Sequence, residues 1–407
     1  MPPNRRTWVM ANPWLSIIGI HPSGLEGLSP AARQALDDAS VVFGSPRHLA
    51  LAQAGARGRA WPIPFSVEPV LQLRGQQGVA VLVSGDPFHF GAGASLARHL
   101  ELGEWRNYPQ PSTFSWVAGE LGWSQERTHC LGLHARSLSS LTPLLAPQER
   151  FICLLRDGPA AHTLAQWLLQ QGWGDSPLWL VEQAGSDQQD IRSGTVRELA
   201  ALLATQPAKA PVTAAFEARG DKGLSRVPGR PIGEFAHDGQ ITKSPVRAMT
   251  LAALAPRQGE WLWDLGAGSG SVAVEWCLAG GQAICVEQHA ARTANIAQNA
   301  QRYAAALEVV HDHALAALPR LQPEPQAVFV GGGFSAELFN ALCMRLSGPW
   351  RLVVNAVALH TQALLLELHR THGGQLYQLQ WSEAQSLGSM HSWSPARPLV
   401  QWVWSSQ

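Results

Sequence analysis

The amino-acid sequence predicts an α/β protein with two domains, each containing a largely parallel sheet. Its 407 residues exceed the roughly 250–300 residues at which a single hydrophobic core stops growing. Short apolar runs alternate with helix-like stretches along most of the chain, which indicates parallel strands joined by helices. A glycine-containing turn also follows the first predicted strand of each half, at residues 19–24 and 266–270.

In the first half, this alternation of predicted strands and helices runs from residue 12 to residue 205. WLSIIGI at 14–20 is the first predicted strand, and Ser29 followed by Pro30 is typical of a helix start. Further strands are predicted at 39–44, 78–87, 150–157 and 177–183, and further helices at 90–100 and 162–172.

The second half is more regular and predicts a sheet with helices on both faces. Strands are predicted at 259–265, 281–288, 307–311, 327–333, 350–359, 374–382 and 398–405. Helices are predicted at 242–256, 271–280, 291–304, 335–346 and 360–372.

The boundary between the two halves is predicted from a change in composition. Residues 205–240 are rich in proline, glycine and charge and lack a sustained periodicity. We therefore predict domains at 12–205 and 227–407, joined by a linker at 206–226. The short run VTAAFEA within this linker is left open as a last strand of the first domain.

Composition limits the classes of partner and the compartment. The chain has 30 Lys and Arg against 30 Asp and Glu, and no basic block favours nucleic acid. No run of about 18 apolar residues predicts a membrane span, and residues 1–14 lack the apolar core of a secretion signal. The 5 cysteines form no C-x-x-C pair, which favours a reduced, cytoplasmic protein. No histidine and acid spacing predicts a metal site.

The stretch WLWDLGAGSGSVAVEW contains the glycine turn of the second domain. Gly266, Gly268 and Gly270 have the spacing G-x-G-x-G, whereas a dinucleotide turn has G-x-G-x-x-G. Asp264 precedes the turn, where a carboxylate repels a diphosphate but suits a ligand with an amino group. Glu287 ends the next strand, where an acid accepts both hydroxyls of a ribose. These features predict a nucleoside carrying an amino acid, for which S-adenosylmethionine is the common example.

Two other interpretations of the turn stay open. A purely structural strand, turn and helix contains the same glycines. An NAD-dependent dehydrogenase places a dinucleotide at such a turn, although the early third glycine argues against it.

A resemblance to known families narrows the possible functions of the second domain. DLGAGSGSVAVEW resembles the first motif of Rossmann-type S-adenosylmethionine-dependent methyltransferases. FAHDGQITKSPVRAMTLAALAP, VFVGGG and LVVNAVAL resemble the cobalamin-pathway enzymes that methylate C15 of a precorrin and decarboxylate its C12 acetate. The resemblance implies cofactor-binding residues at Thr242, Asp264, Gly266, Ala267, Gly268, Ser269, Gly270, Glu287 and Ala314. This family often has Gly-Asp-Ala where this chain has HDHA, so Asp312 and His313 both remain candidates for the adenine end.

Four residues of the second domain are candidates for the substrate. Gly332 lies in the turn after the fourth strand, where ligands of open α/β sheets bind. Asn355 either donates to a substrate carbonyl or caps a turn. Lys243 and Arg247, four residues apart on one predicted helix face, either bind carboxylates or are solvated.

The first domain resembles a different class of methyltransferase. WLSIIGIHPSGLEGLSPAARQAL and VAVLVSGDPFHFGAGASLARHL resemble the tetrapyrrole (corrin/porphyrin) methylases. The resemblance implies cofactor-binding residues at Gly19, Ser84, Gly85 and Asp86, while Asp86 alternatively forms an Asx-turn before proline. His134 and Arg136 are candidates for substrate carboxylates. His21 and Ala135 stand where this family commonly has glycine.

Both modules on one chain resemble the bifunctional precorrin methyltransferases, which methylate C5 and C15 and release the C12 acetate as CO₂ on the route to cobalamin. One S-adenosylmethionine per domain, a polycarboxylate macrocycle as substrate and a homo-oligomer are expected. The nucleophilic carbon is enamine-like, so no strong general base is needed and the catalytic residues are left unassigned. The rival readings are methylation of another tetrapyrrole with a degenerate first module, and a non-catalytic regulator that binds S-adenosylmethionine.

Overall fold

The computed structural model describes residues 13–134, 136–220 and 222–406. Residues 1–12, which contain most of the stretch examined for a secretion signal, and Ala135 lie outside the described residues. The chain divides into two compact units, Met1–Leu138 with Leu145–Lys222 and Ser139–Leu144 with Gly223–Gln407. Within the described ranges, none of the helices has both the length and the apolar character that a membrane crossing requires.

The first unit begins with a five-stranded parallel sheet in the order β3-β2-β4-β1-β5. Its strands are β1 Leu15–Ile20, β2 Val41–Gly44, β3 Gly58–Ala60, β4 Val79–Ser84 and β5 Trp105–Tyr108. Its helices are α1 Pro30–Asp37, α2 Pro46–Leu51, α3 Glu68–Leu71 and α4 Gly93–Ala97. Ser29 caps α1 as predicted, because its hydroxyl accepts the Ala32 N–H at 3.2 Å.

A second five-stranded sheet completes the first unit, in the order β6-β7-β10-β8-β9. Its strands are β6 Thr128–Gly132, β7 Arg150–Leu154, β8 Pro177–Glu182, β9 Asp190–Thr195 and β10 Val212–Glu217. The helices are α5 Thr113–Leu121, α6 Gly158–Gln170 and α7 Val196–Leu203. Within the described strands of this second sheet, only β6 and β7 pair in parallel. The expectation of a largely parallel sheet is therefore correct for the first sheet of the unit and wrong for the second. The central strand β10 lies inside the stretch that composition marks as a linker.

The second unit is built on a seven-stranded sheet in the order β13-β12-β11-β14-β15-β19-β16. Its strands are β11 Trp261–Leu265, β12 Gln282–Glu287, β13 Leu307–His311, β14 Ala327–Val330, β15 Arg351–Ala356, β16 Gln375–Leu379 and β19 Leu399–Ser405. The helices are α8 Ser244–Leu254, α9 Ser271–Leu278, α10 Ala290–Tyr303, α11 Ala314–Ala317, α12 Ala336–Arg345 and α13 Leu359–His372. The first five strands are parallel, and β19 is antiparallel to both neighbours.

Both faces of this sheet are buried, as the prediction of helices on both faces requires. Trp263 on β11 belongs to a core cluster with residues of α12 and α13. Its neighbour Leu262 belongs to a separate cluster with residues of α8 and α9. The side chains of a strand alternate between faces, so one strand contributes to both layers of the core.

One exposed hairpin was not predicted from the sequence. Strands β17 Ser382–Leu387 and β18 Met390–Pro395 pair with each other outside the seven-stranded sheet. Most of its side chains are polar and exposed, so no alternating apolar face signals it.

Candidate active sites

A cavity of about 200 Å³ lies at the carboxyl ends of the parallel strands in the second unit. It is lined by Gly266, Val286, Glu287, Gln288, Arg292, Asp312, His313, Ala314, Gly332 and Gly333. These residues follow or end β11, β12, β13 and β14. The strand order reverses at β11, and such a reversal opens a crevice in which ligands of open α/β sheets bind.

The glycine turn requires its glycines for two different reasons. Gly266, Gly268 and Gly270 all have positive φ, at 70°, 59° and 70°, which L side chains rarely adopt. A Cβ on Gly266 would lie 2.7 Å from the Gly332 carbonyl oxygen, and one on Gly270 would lie 2.9 Å from Ile296 Cγ2. A Cβ on Gly268 would lie 3.5 Å from the Gln240 carbonyl oxygen, an ordinary contact, so only the positive φ favours glycine there.

Glu287 occupies the position that the sequence predicts for a ribose acceptor. Its Oε2 accepts the Gly268 N–H at 2.9 Å, and its Oε1 accepts the His289 N–H at 3.0 Å. The side chain is buried yet lines the cavity. Each carboxylate oxygen has more than one acceptor site, so Glu287 can hold the turn and still accept ligand hydroxyls.

Asp264 lies behind the turn rather than on the cavity wall. It is 1 % exposed, and neither carboxylate oxygen has a hydrogen-bond partner of standard geometry among the described residues. Burial raises the pKa of Asp264 to about 7, with the nearby backbone amide of Ala273 opposing the rise and the charge of Glu287 adding to it. The predicted direct contact of Asp264 with a ligand amino group stays a prediction.

The three residues after β13 all line the cavity. Asp312 forms an ion pair with Arg320, which holds the pKa of the Asp312 carboxyl below its usual range. His313 is exposed and precedes α11, and Ala314 begins that helix. Both open candidates for the adenine end therefore face the same cavity, one as a paired carboxylate and the other as an exposed imidazole.

Two further polar residues of the cavity, Gln288 and Arg292, were not predicted. Arg292 on α10 pairs with Asp238 at 2.8 Å, and this contact lowers the pKa of Asp238. The sequence signal for them is proximity to Glu287: Gln288 follows it directly, and Arg292 lies in the first turn of the next helix.

The remaining predicted cofactor residues of this unit do not line the cavity. They are Thr242, Ala267, Gly268, Ser269 and Gly270. The Ser269 carbonyl accepts a hydrogen bond from Asn299 Nδ2 at 2.9 Å, and the Thr242 carbonyl accepts one from the Arg247 guanidinium. These residues shape the turn and its approach, and their contact with a cofactor stays a prediction.

Arg247 is a correction to the predicted substrate site. Its side chain is fully buried and pairs with Glu275 at 2.7 Å. The guanidinium also lies 4.8 Å from the ring centroid of Phe235. Lys243 precedes α8 instead of sharing a helix face with Arg247, and it is exposed. Of this predicted pair, only Lys243 remains available to a substrate carboxylate.

Asn355 is a second correction. It is 7 % exposed, and its Nδ2 donates to Thr250 Oγ1 at 2.8 Å. Its Oδ1 accepts from Gln401 Nε2 at 2.9 Å. Both groups of the amide are therefore used inside the core, and neither the substrate contact nor the turn cap is present.

A second cavity, of about 390 Å³, lies in the first unit. Its hydroxyl groups come from Ser45, Ser84, Ser112, Thr113 and Thr213. Its aromatic rings are those of Trp61, Phe90 and Phe114, and its basic or imidazole side chains are those of His48, His89, His134 and Arg156. Among the described residues, the lining contains no Asp or Glu.

Of the predicted cofactor residues in this unit, only Ser84 lines the cavity. A Cβ on Gly19 would lie 1.9 Å from the Gly85 carbonyl oxygen, so Gly19 allows close packing of two backbones. Gly85 has φ +61°. Asp86 Oδ1 accepts the Phe88 N–H at 2.8 Å, which is the Asx-turn left open by the sequence.

Only one of the two predicted substrate residues of this unit lines the cavity. His134 lines the cavity, whereas Arg136 is exposed and not part of the lining. Arg156, which was not predicted, supplies the guanidinium of the lining. His21 does not have positive φ, so its replacement of a glycine causes no backbone strain.

Comparison with known families assigns each unit separately. Residues 15–200 match the tetrapyrrole (corrin/porphyrin) methylases. Residues 233–406 match the precorrin methyltransferase domain.

Individual relatives extend the match to the whole chain. A precorrin-6Y C(5,15)-methyltransferase (decarboxylating) from a Sinorhizobium species is 40% identical and covers 97% of each chain. A protein of the same name from Mycobacterium tuberculosis is 34% identical over 95% of this chain and 98% of its own. The crystal structure of the C-terminal domain of precorrin-6Y C5,15-methyltransferase from Rhodobacter capsulatus is 53% identical, covering 45% of this chain and 100% of its own with a TM-score of 0.44. The chain therefore belongs to the family of decarboxylating precorrin-6Y C5,15-methyltransferases.

Proposed function

We propose that this chain methylates precorrin-6Y at C5 and C15 and decarboxylates its C12 acetate, in the biosynthesis of cobalamin. The observation that carries the proposal is the presence of a separate cavity in each of the two units. One cavity adjoins the glycine turn of a methyltransferase sheet, and the other adjoins the Ser84–Pro87 turn of a tetrapyrrole methylase. Two methyl transfers on one substrate require two such sites.

The two reactions are assigned to the units by their families. The first unit is proposed to methylate C5, since it matches the tetrapyrrole methylases. The second is proposed to methylate C15 and release CO₂, since it matches the precorrin methyltransferase domain.

The residues of both cavities fit S-adenosylmethionine. In the second unit, Glu287 is proposed to accept the ribose hydroxyls, and Gly266 and Gly332 bring two turns close enough to form a narrow crevice. In the first unit, Ser84 and Thr113 supply hydroxyls to the cavity. When bound, S-adenosylmethionine supplies an electrophilic methyl group.

The substrate carries several carboxylates, so cationic side chains are expected near it. Arg156 and His134 are the proposed partners in the first unit, because both line its cavity. Lys243 is the proposed partner in the second unit, since it is exposed. Guanidinium groups bind carboxylates in bidentate fashion.

The chemistry needs positioning more than activation. An enamine-like carbon is already nucleophilic, so each unit must hold it in line with the methyl group at near-attack distance. For decarboxylation, the conjugated macrocycle can accept the electron pair that the departing CO₂ leaves behind. The second unit then contributes an enclosed place for the acetate. We extend the proposal to a homo-oligomeric, cytoplasmic enzyme.

The test is the stoichiometry of the full-length protein supplied with S-adenosylmethionine and precorrin-6Y. The proposal expects two methyl groups gained and one CO₂ lost per macrocycle, measured by mass spectrometry. Filling one cavity at a time separates the units: Thr113→Trp should remove the C5 methyl group and Gly266→Val the CO₂ release. A Thr113→Trp protein that still adds both methyl groups contradicts the assignment of C5.

A further inference from the structure

Ser84 and His48 form a hydrogen-bonded pair on the wall of the first unit's cavity. Ser84 ends β4, and His48 lies on α2, so the pair joins a strand end to the neighbouring helix. His48 Nε2 and Ser84 Oγ are 2.8 Å apart. Ser45 caps α2 by accepting the His48 N–H at 3.2 Å, which fixes the start of the helix that carries the imidazole.

The surroundings of His48 favour the neutral form of its imidazole. Burial lowers the pKa of His48 to about 4, the charge of Arg47 lowers it further, and the Leu82 carbonyl opposes the change. A neutral imidazole carries one proton and has one nitrogen free to accept another. Its Nδ1 is enclosed and has no hydrogen-bond partner of standard geometry among the described residues. When Nδ1 carries the ring proton, Nε2 accepts the Ser84 hydroxyl.

The rest of the cavity offers few proton acceptors. Its described lining has no carboxylate, and the Arg156 guanidinium does not lose its proton in proteins. The other imidazoles are those of His89 and His134. The His89 ring packs against Phe90 and Phe114, at 5.2 and 4.8 Å between centroids, and His134 is exposed to solvent. Of these three imidazoles, only that of His48 is hydrogen-bonded to a hydroxyl of the cavity wall in the described contacts.

We propose that Ser84 and His48 form a proton relay in the first unit, in which His48 accepts the proton transiently. The inference rests on the proposed C5 methylation in this unit. There, a macrocycle carbon forms the new bond to the methyl carbon as the S–C bond breaks, and that electron pair stays on sulfur. The methylated macrocycle has gained one positive charge and becomes neutral by releasing a proton. Ser84 Oγ takes this proton while passing its own to His48 Nε2.

The relay goes beyond the positioning that the methyl transfer itself needs. The macrocycle carbon can attack the methyl group without the help of a base. The methylated product, however, needs a base to take its proton, and the described cavity lining has no carboxylate. General acid–base catalysis of this kind typically contributes about 10²–10⁴-fold to a rate. Ser84 is exposed and lines the cavity, whereas His48 is half-buried, so Ser84 is the group expected to touch the substrate.

The test uses the full-length protein and compares His48→Gln, His48→Ala and Ser84→Ala with the wild type. Gln keeps a hydrogen-bonding side chain but cannot accept the proton, so the rate of C5 methylation should fall by about 100-fold. KM for the macrocycle and the calorimetric affinity for S-adenosylmethionine should stay within about threefold, a difference of roughly 0.7 kcal/mol. His99→Gln is the matched control, because His99 is exposed and not part of the cavity lining, and it should behave as the wild type.

Two readouts separate a relay from a structural role. Added imidazole should restore part of the C5 methylation in His48→Ala, where space is free, but not in His48→Gln. By NMR, the His48 ring should stay neutral at pH 6 in the wild type, and its Nε2 resonance should move in Ser84→Ala even without substrate. If His48→Gln also weakens cofactor binding, rescue of His48→Ala by imidazole still distinguishes a proton relay from a structural role.

The relay is contradicted by a His48→Gln rate close to that of the wild type, or by the absence of imidazole rescue in His48→Ala. Failure of the underlying assignment looks different. If Thr113→Trp still methylates C5, the first unit does not perform this reaction, whatever the His48 variants show.

Discussion

The two cavities of this chain differ in their acidic side chains. The cavity of the second unit contains the carboxylates of Glu287 and Asp312. The described lining of the first unit's cavity contains no carboxylate and is rich in hydroxyls, while each cavity has one guanidinium and at least one imidazole. If both bind the same cofactor, a carboxylate holds the ribose in one unit, whereas hydroxyl and backbone groups must hold it in the other. The difference teaches that cofactor identity alone does not determine the charge of its site.

The largest expected effect concerns which arginines belong to a site and which to a core. Arg247→Met leaves Glu275 buried without its partner, which should lower the free energy of unfolding by about 3–5 kcal/mol. Arg156 is mostly exposed, at 73 % of its side-chain surface, so Arg156→Met should change the stability by less than ~0.5 kcal/mol. Instead it should raise KM for the macrocycle in C5 methylation. Chemical denaturation measures the stability of each variant, and steady-state kinetics measures its KM. A stable Arg247→Met protein, or an unstable Arg156→Met protein with an unchanged KM, would contradict the assignment of Arg247 to the core and Arg156 to the site.

The next effect isolates the glycine turn of the second unit. Gly266→Val combines a positive φ with a Cβ 2.7 Å from the Gly332 oxygen. We expect a loss of cofactor affinity of about 100-fold or more in this unit, from roughly 3 kcal/mol of strain, and no change in the first unit. Gly259→Val is the control, because Gly259 also has positive φ but no atom within 4 Å of its Cβ. Equal losses in both variants, measured by calorimetry, argue against a role of the turn.

A smaller effect tests the carboxylate that only one cavity uses. Glu287→Gln replaces one acceptor oxygen by a donor, and the lost charged hydrogen bond should cost about 1.5 kcal/mol, or roughly tenfold in affinity. Binding in the first unit should be unchanged, because its described lining has no corresponding acid. Glu308→Gln, on the exposed side of β13, is the control. An unchanged calorimetric affinity would remove Glu287 from the ribose site.

The last prediction concerns the stability contributed by Asp264. Its pKa in the fold is about 7, above that of an unfolded Asp, so the native state binds more protons in the range between the two values. Stability from this group is present at low pH and is lost as the pH rises through about 7. Thermal unfolding of cofactor-free Asp264→Asn should therefore shift upward relative to the wild type as the pH increases from 5 to 8. A pH-independent difference contradicts this reading of the buried carboxyl.

The parts of the site that lie at the ends of parallel strands could be predicted from the sequence. Glu287 ends β12 and Gly332 follows β14, the two strands that flank β11. The carboxyl ends of parallel strands meet at one edge of the sheet, so both residues line the predicted crevice. Arg247 and Asn355 could not be predicted, because their partners Glu275 and Gln401 are 28 and 46 residues away. A polar residue looks the same in sequence whether its partner is a ligand or a buried side chain.

The prediction of the fold was limited in the same way, because contacts between distant segments cannot be seen in the sequence. The run VTAAFE of β10 is surrounded by proline and glycine, so composition assigns it to a linker, although it pairs on both sides with strands of one sheet. The Ser84–His48 pair also spans 36 residues and two elements. Only the fold brings that hydroxyl and that imidazole together.

The central claim is that the chain has two cofactor sites, one in each unit. Calorimetric titration of the full-length protein with S-adenosylmethionine tests it most directly, with Glu287→Gln and Thr113→Trp measured alongside. The account predicts two molecules bound per chain in the wild type. Glu287→Gln should weaken one of them and Thr113→Trp should remove the other. A single site per chain, or two sites that respond to the same substitution, would contradict it.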